Sequence, residues 1–165
     1  MEINAAQLHE LQQRRQFFAA YFPKIDCCLN QLKHEAAKLN TCPACGYPTL
    51  GERAGYEICS ICEWEDDGQD DEAADEIWGG PNGNYSLTQW RRTTAEMLAI
   101  LTTSSAAHRP EKKLIGLLLN SIQASVRSGH ANESNKMIEQ IETITLLFEK
   151  LRNDQCSGLI KSSPG

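Results

Sequence analysis

Cys42-Pro-Ala-Cys45-Gly46 and Cys59-Ser-Ile-Cys62 stand thirteen residues apart, and these two knuckles decide how the middle of the chain folds. Each Cys-x-x-Cys turn offers two thiolates, and two such turns complete the tetrahedron that a structural Zn²⁺ requires. Four sulfurs leave no open position for water or substrate, so the pattern points to a folding role rather than catalysis. Pro43 sets the turn after the first ligand, and Gly46 is expected to let backbone N–H groups face the sulfurs. A redox pair or two disulfides would use the same residue type; two matched pairs this close favour zinc. The remaining cysteines do not extend the set. Cys27 and Cys28 adjoin one another in a helical stretch, and Cys156 lies in a polar tail.

Immediately after the last ligand the composition changes. From Glu63 to Glu76 there are nine acids and no Lys or Arg. The net charge of −6 is therefore local, because the remainder of the chain carries thirteen acids against sixteen bases. Trp64 and Trp78 bracket this acidic loop. Aromatic anchors beside concentrated charge are the composition of a binding hot spot. An acidic loop also complements a basic cleft, where charge speeds encounter and sets register. Glu65, Asp66, Asp67, Asp70 and Asp71 are accordingly read as facing a partner, with Trp64 and Trp78 as apolar contacts. The plainer alternative is that the acids are solvated and the tryptophans cover a miniature core.

Helical periodicity flanks the knuckles on both sides. Asn4 can cap a first helix carrying Leu8, Leu11, Phe18, Tyr21 and Phe22 on one side. Pro23 suits the first turn of a second, whose stripe runs Ile25, Cys28, Leu29, Leu32, Ala36 and Leu39. Between about Thr41 and Tyr85 only short β-like runs occur, around Tyr47–Leu50 and Tyr56–Ile58, which suit a hairpin between the knuckles of a zinc ribbon. Ser86-Leu87-Thr88-Gln89 then reads as a capping box opening a third helix, with Leu87, Trp90, Thr94, Met97, Leu98 and Leu101 on its apolar face. Thr102 to His108 is a polar break. Pro110 opens a fourth helix, with Leu114, Ile115, Leu118, Ile122 and Val126 inward and Gly129 as its stop. Asn132 or Ser134 caps a fifth, with Ile138, Ile141, Thr145, Phe148 and Leu151 on its face.

Such stripes can be buried only against one another. The expected fold is mainly α: a small helical bundle with an inserted zinc-ribbon-like module. Its parts are a helical pair over residues 1–40, the module over 41–85, further helices over 86–153, and a flexible tail over 154–165. Alternatively, the terminal helix pair forms a separate hairpin used for homodimerisation or partner docking. No internal repeat is evident. With 165 residues, 41% hydrophobic and 7% aromatic, the composition fits a soluble, helix-rich globule. Met1-Glu2-Ile3-Asn4-Ala5 begins no basic-then-apolar leader, and no stretch approaches a spanning helix. A cytoplasmic, reducing location without membrane attachment is expected, in keeping with thiols kept free for a metal.

One run is more specific than the metal pattern alone: Tyr56-Glu57-Ile58-Cys59-Ser60-Ile61-Cys62-Glu63-Trp64-Glu65-Asp66-Asp67-Gly68-Gln69-Asp70. Cys42-Pro-Ala-Cys45-Gly-Tyr47-Pro-Thr-Leu50 precedes it, and Gly79-Gly80-Pro81-Asn82-Gly83 with Ser86-Leu87 follows. Together they resemble the bacterial CPCC-type cysteine-rich domain family over about residues 41–95. That family usually shows Cys-Pro-Cys-Cys-Gly, whereas Ala44 replaces the middle cysteine here, leaving Cys42, Cys45, Cys59 and Cys62 as ligands. The resemblance implies a small zinc-binding module often encoded near toxin–immunity loci. The expected function is therefore an immunity protein that neutralises a cognate protein toxin with a basic surface.

Two other classes compete. A nucleic-acid-associated zinc-ribbon regulator is disfavoured, because the acidic loop would repel phosphate where a ribbon usually engages it. The bases Arg14, Arg15, Arg91, Arg92, Arg109, Lys112 and Lys113 are scattered along the chain, and Arg91-Arg92 could neutralise the loop internally. A metal-dependent hydrolase would need Asp66 to Asp71 to hold Mg²⁺ or Ca²⁺, yet no bidentate Glu completes a Ca²⁺ loop. His9, His34, His108 and His130 share no motif with a nucleophile. The chain is read as a non-enzyme.

Overall fold

The computed structural model describes residues 4–32, 40–103, 109–130 and 134–160. Ala36 and Leu39 of the expected second helix, residues 104–108, Asn132 and the last five residues lie outside the described residues. The elements are helix α1 (Ala5–Leu32), strands β1 (Asn40–Thr41) and β2 (Pro48–Leu50), and helices α2 (Leu87–Thr103), α3 (Pro110–Ser128) and α4 (Ser134–Ile160). Two short 3₁₀ turns, Asp71–Ala73 and Gly80–Asn82, punctuate the loop before α2. The protein is a mainly α fold carrying a small cysteine module.

Local signals account for most helix ends. Asn4 Oδ1 accepts the Gln7 N–H at 2.9 Å, and the Gln7 side chain returns a bond to the Asn4 N–H at 3.3 Å. At α2, Ser86 Oγ accepts the Gln89 N–H at 3.2 Å while Gln89 Oε1 accepts the Ser86 N–H at 2.9 Å. This is the reciprocal box expected from the sequence. Pro110 opens α3, and Gly129 closes it in the left-handed region at φ 68°.

Two expectations fail along the helices. The break at Pro23 does not occur, and α1 runs through it to Leu32. Proline removes one backbone donor, here the bond to the Ala19 carbonyl, and the ladder on either side continues. Nor does α4 end near Asp154; it reaches Ile160, since adding turns to a formed helix costs little compared with nucleating one.

α3 lies at the centre and packs against α1, α2 and α4. It buries Ile115, Gly116, Leu119, Ile122 and Val126, so the inward stripe is rotated from the expected one and Leu114 turns outward. α1 contributes Leu11, Phe18 and Tyr21; α2 contributes Leu87 and Leu98; α4 contributes Met137, Ile138, Ile141, Ile144, Phe148 and Leu151. One continuous apolar core joins Phe18 and Tyr21 of α1, the buried aliphatic residues of α2, α3 and α4, and all four knuckle cysteines. The terminal helix pair is therefore not a separate hairpin.

Candidate metal centre

The two knuckles are copies of one local structure. In the first, the Cys42 N–H donates to the Tyr47 carbonyl at 2.9 Å and the Gly46 N–H to the Cys42 carbonyl at 2.9 Å. In the second, the Cys59 N–H donates to the Trp64 carbonyl at 2.8 Å and the Glu63 N–H to the Cys59 carbonyl at 2.9 Å. Each knuckle is thus the turn of its own hairpin. β1 pairs antiparallel with β2 across the first, and Ile58 bridges Glu65 across the second. The expected pairing of 47–50 with 56–58 is replaced by these two hairpins, because each Cys-x-x-Cys turn reverses the chain on its own. Both turns need a left-handed residue after the second cysteine: Gly46 at φ 78° and, unusually, Glu63 at φ 65°.

This repetition brings four sulfurs together. Cys42 Sγ lies 3.6 Å from Cys62 Sγ, and Cys45 Sγ lies 3.6 Å from Cys59 Sγ. All four sulfurs fall within 4.8 Å of one another, and all four residues are buried. A zinc ion with Zn–S bonds near 2.3 Å has sulfur–sulfur edges of about 3.8 Å. The donor set and its dimensions therefore suit a structural metal ion such as zinc.

Surrounding groups are arranged for negative charge on the sulfurs. Thr49 Oγ1 donates to Cys59 Sγ at 3.0 Å, and the Ala44 N–H approaches Cys42 Sγ at 3.4 Å. The backbone donor to sulfur is thus at Ala44, with Gly46 supplying the turn. Burial pushes the Cys45 and Cys62 thiols well above their ordinary range, and at both the hydrogen bonds with Cys42 and Cys59 add to it. Burial acts in the same sense at Cys59, but the bonds it accepts from the other three cysteines and Thr49 hold its thiol well below that range. A metal binding here displaces the protons that burial otherwise retains.

Three helices clasp the knuckles through backbone carbonyls. Arg14 of α1 donates to Cys45 O at 2.9 Å, and Arg91 of α2 to Pro43 O at 2.9 Å. Trp90 Nε1 donates to Cys62 O at 2.9 Å, and Arg152 of α4 reaches Ser60 O at 3.2 Å and Glu63 at 3.3 Å. A zinc ion with four thiolates is doubly negative, and these guanidinium groups offset that charge while joining the module to the bundle. Sequence reasoning missed this set. Arg14 and Arg91 lie on helix faces that turn inward, a placement periodicity alone does not reveal.

Part of the acidic loop is neutralised from within. Asp66 is fully buried; its carboxylate accepts from Arg53 Nε at 2.8 Å and from the Ala54 N–H at 2.8 Å. Asp70 pairs with Arg15 at 2.8 Å and Arg53 at 3.0 Å, and Asp71 with Arg91 at 2.6 Å and Arg15 at 3.1 Å. Asp67 accepts from the Gln69 N–H and from Asn82 Nδ2. Asn82 also bonds the Glu65 backbone at both its N–H and its carbonyl, leaving the half-buried Glu65 side chain toward the second knuckle.

These contacts correct part of the partner-facing set. Trp64 is fully buried, its ring 5.7 Å from Trp90 in an edge contact, so it belongs to the core. Asp66 belongs to a buried ion pair. The oxygens of Asp70 and Asp71 are taken by arginines, which a divalent cation would have to displace. Of the two tryptophans Trp78 remains at the surface, 50% exposed, with its Nε1 donating to Glu76 at 2.9 Å, and Asp71 is exposed as well.

Among the described residues no helix is long and apolar enough to cross a membrane. No curated protein and no solved structure matches the chain. Residues 40–113 match the family model described as Cysteine-rich CPCC: this segment, from the first hairpin through α2 into the opening of α3, carries the CPCC cysteine-rich domain that the knuckles announce.

Proposed function

We propose that this is a protein-binding protein whose metal centre serves only its structure, and that it acts in the cytoplasm as an immunity factor against a cognate toxin. An all-sulfur tetrahedron offers no position for substrate, which supports binding over catalysis. The observation that carries the reading is Trp78. Its half-exposed ring lines a depression of about 470 Å³ with Arg15, Asp70, Asp71 and Glu72. Ile77 beside it is 56% exposed. Glu72 pairs with no cation among the described residues, and Glu76 orients the indole. An aromatic anchor set in residual negative charge, on a backbone stiffened by the knuckles, fits a basic protein surface better than it fits phosphate. The toxin-directed form of the reading rests on what the CPCC resemblance implies.

The test is co-purification of the full chain with the product of the adjacent gene, together with protection of cells expressing that product. Trp78→Ala is expected to weaken binding at least tenfold. Glu72→Gln with Glu76→Gln is expected to slow association and flatten its salt dependence. Undiminished capture by the combined variant would remove the rim from the interface. Failure of the parent chain to capture or protect would remove the immunity reading.

A further inference from the structure

A second concavity lies where the second knuckle meets α4. It encloses about 950 Å³. Trp90 and Ile141 line its apolar interior, and Ile58 from the module and Leu146 from α4 are 61% and 64% exposed. Along α4 the lining positions Ile141, Thr145, Leu146 and Glu149 follow helical three-four spacing, so one face of the helix borders the cleft. The module is fixed to that face by the Ser60 Oγ–Thr145 Oγ1 bond at 3.0 Å and by Arg152 on the Ser60 carbonyl. The cleft is therefore a product of how the two parts dock.

Its charge is one-sided. Among the described residues Glu63, Glu65 and Glu149 line it, against the cation Arg152. Arg152 is already engaged by Glu63 and the Ser60 carbonyl. Glu65 and Glu149 pair with no cation among the described residues. A small-molecule pocket ordinarily buries about 70–90% of its ligand, whereas two of the apolar lining residues here stand mostly in water. Exposed aliphatic walls with an acidic border suit an extended surface more than a small molecule.

We infer that this cleft is a docking groove for a basic peptide segment of a partner protein, with one or two aliphatic side chains set between Ile58 and Leu146 and Lys or Arg side chains against Glu65 and Glu149. The inference rests on the protein-binding reading above and gives it a second, separate contact surface. Leu and Ile anchors would cover the aliphatic walls and Trp90, and the flanking cations would supply the charge the cleft lacks.

The experiment uses the zinc-loaded full chain and three fluorescein-labelled eight-residue peptides, alternating Leu-Lys, Leu-Glu or Ser-Lys. Saturable one-to-one binding is expected for Leu-Lys alone, with amide shifts at Ile58 and Thr145. Leu146→Asp, at an exposed site that leaves the core intact, is expected to weaken it at least tenfold. Glu149→Lys should weaken it several-fold at low salt. Equal binding of the Leu-Glu or Ser-Lys peptide, or binding that Leu146→Asp does not alter, overturns the groove. Those results leave the protein-binding reading standing, since it falls separately if partner capture fails.

Discussion

A carboxylate's surroundings matter more here than its presence in an acidic run. Asp66 and Glu72 lie six positions apart in sequence, yet one is fully buried against Arg53 and the other is exposed. Asp70 shows the consequence for pH. Burial works against its ionisation, but the Arg15 charge and the bond from Arg53 outweigh it and hold its carboxyl below the ordinary value. A carboxylate more acidic in the folded than in the unfolded chain contributes stability above its unfolded value of about 3.9. That contribution is lost as pH falls through the lower folded value. Asp70→Asn should therefore cost about 1 kcal/mol at pH 7, given its partial exposure. The gap between variant and parent should close as pH falls below about 4. Urea denaturation of both proteins across pH 3–7 tests this, and a gap that stays constant with pH would refute it.

Among the helices, α3 sets how closely the others approach. At Gly116 a side-chain carbon would run into the Leu101 carbonyl of α2. Asn120 Nδ2 donates to the Thr102 carbonyl at 3.0 Å, satisfying an acceptor at the end of α2. Helix propensity alone would reward Gly116→Ala by about 1 kcal/mol. Overpacking against backbone costs about 1–3 kcal/mol, since neither helix can retreat without opening the core. Steric cost wins, and a net loss of up to about 2 kcal/mol is expected. Lys113→Ala on the exposed side of the same helix should change stability by less than about 0.5 kcal/mol. Thermal melts of the two variants decide it; a stabilised Gly116→Ala would mean the helices cross less tightly than described.

Taken as a whole, the molecule has one core spanning knuckles and helices, so metal and bundle support one another. Arg14, Trp90, Arg91 and Arg152 donate to carbonyls whose positions the knuckles fix. Structural zinc contributes about 10–16 kcal/mol in isolated fingers. Even a fraction of that, at about 2–4 °C per kcal/mol for a chain of this size, lowers the melting temperature by more than ~10 °C. Chelation at pH 7 should release one zinc per chain and abolish the near-ultraviolet dichroism of buried Trp64, while much of the helical signal persists. An unchanged melt after complete zinc removal would show the knuckles to be held by packing alone.

Local patterns were enough to set the four ligands, the Asn4 cap, the capping box at Ser86, the Pro110 start, the Gly129 stop and the helical class, because each depends on spacing within a few residues. Periodicity also placed most of the core, though it misjudged the rotation of α3 and the passage of α1 through Pro23. Which acids meet arginines, which tryptophan enters the core, and the cleft between knuckle and α4 were decided only by tertiary structure. Those features join residues up to ninety-two positions apart, and a charge or an aromatic ring carries no mark of its distant partner. The metal pattern is local in sequence, whereas the protein's surface is assembled from all of its elements at once.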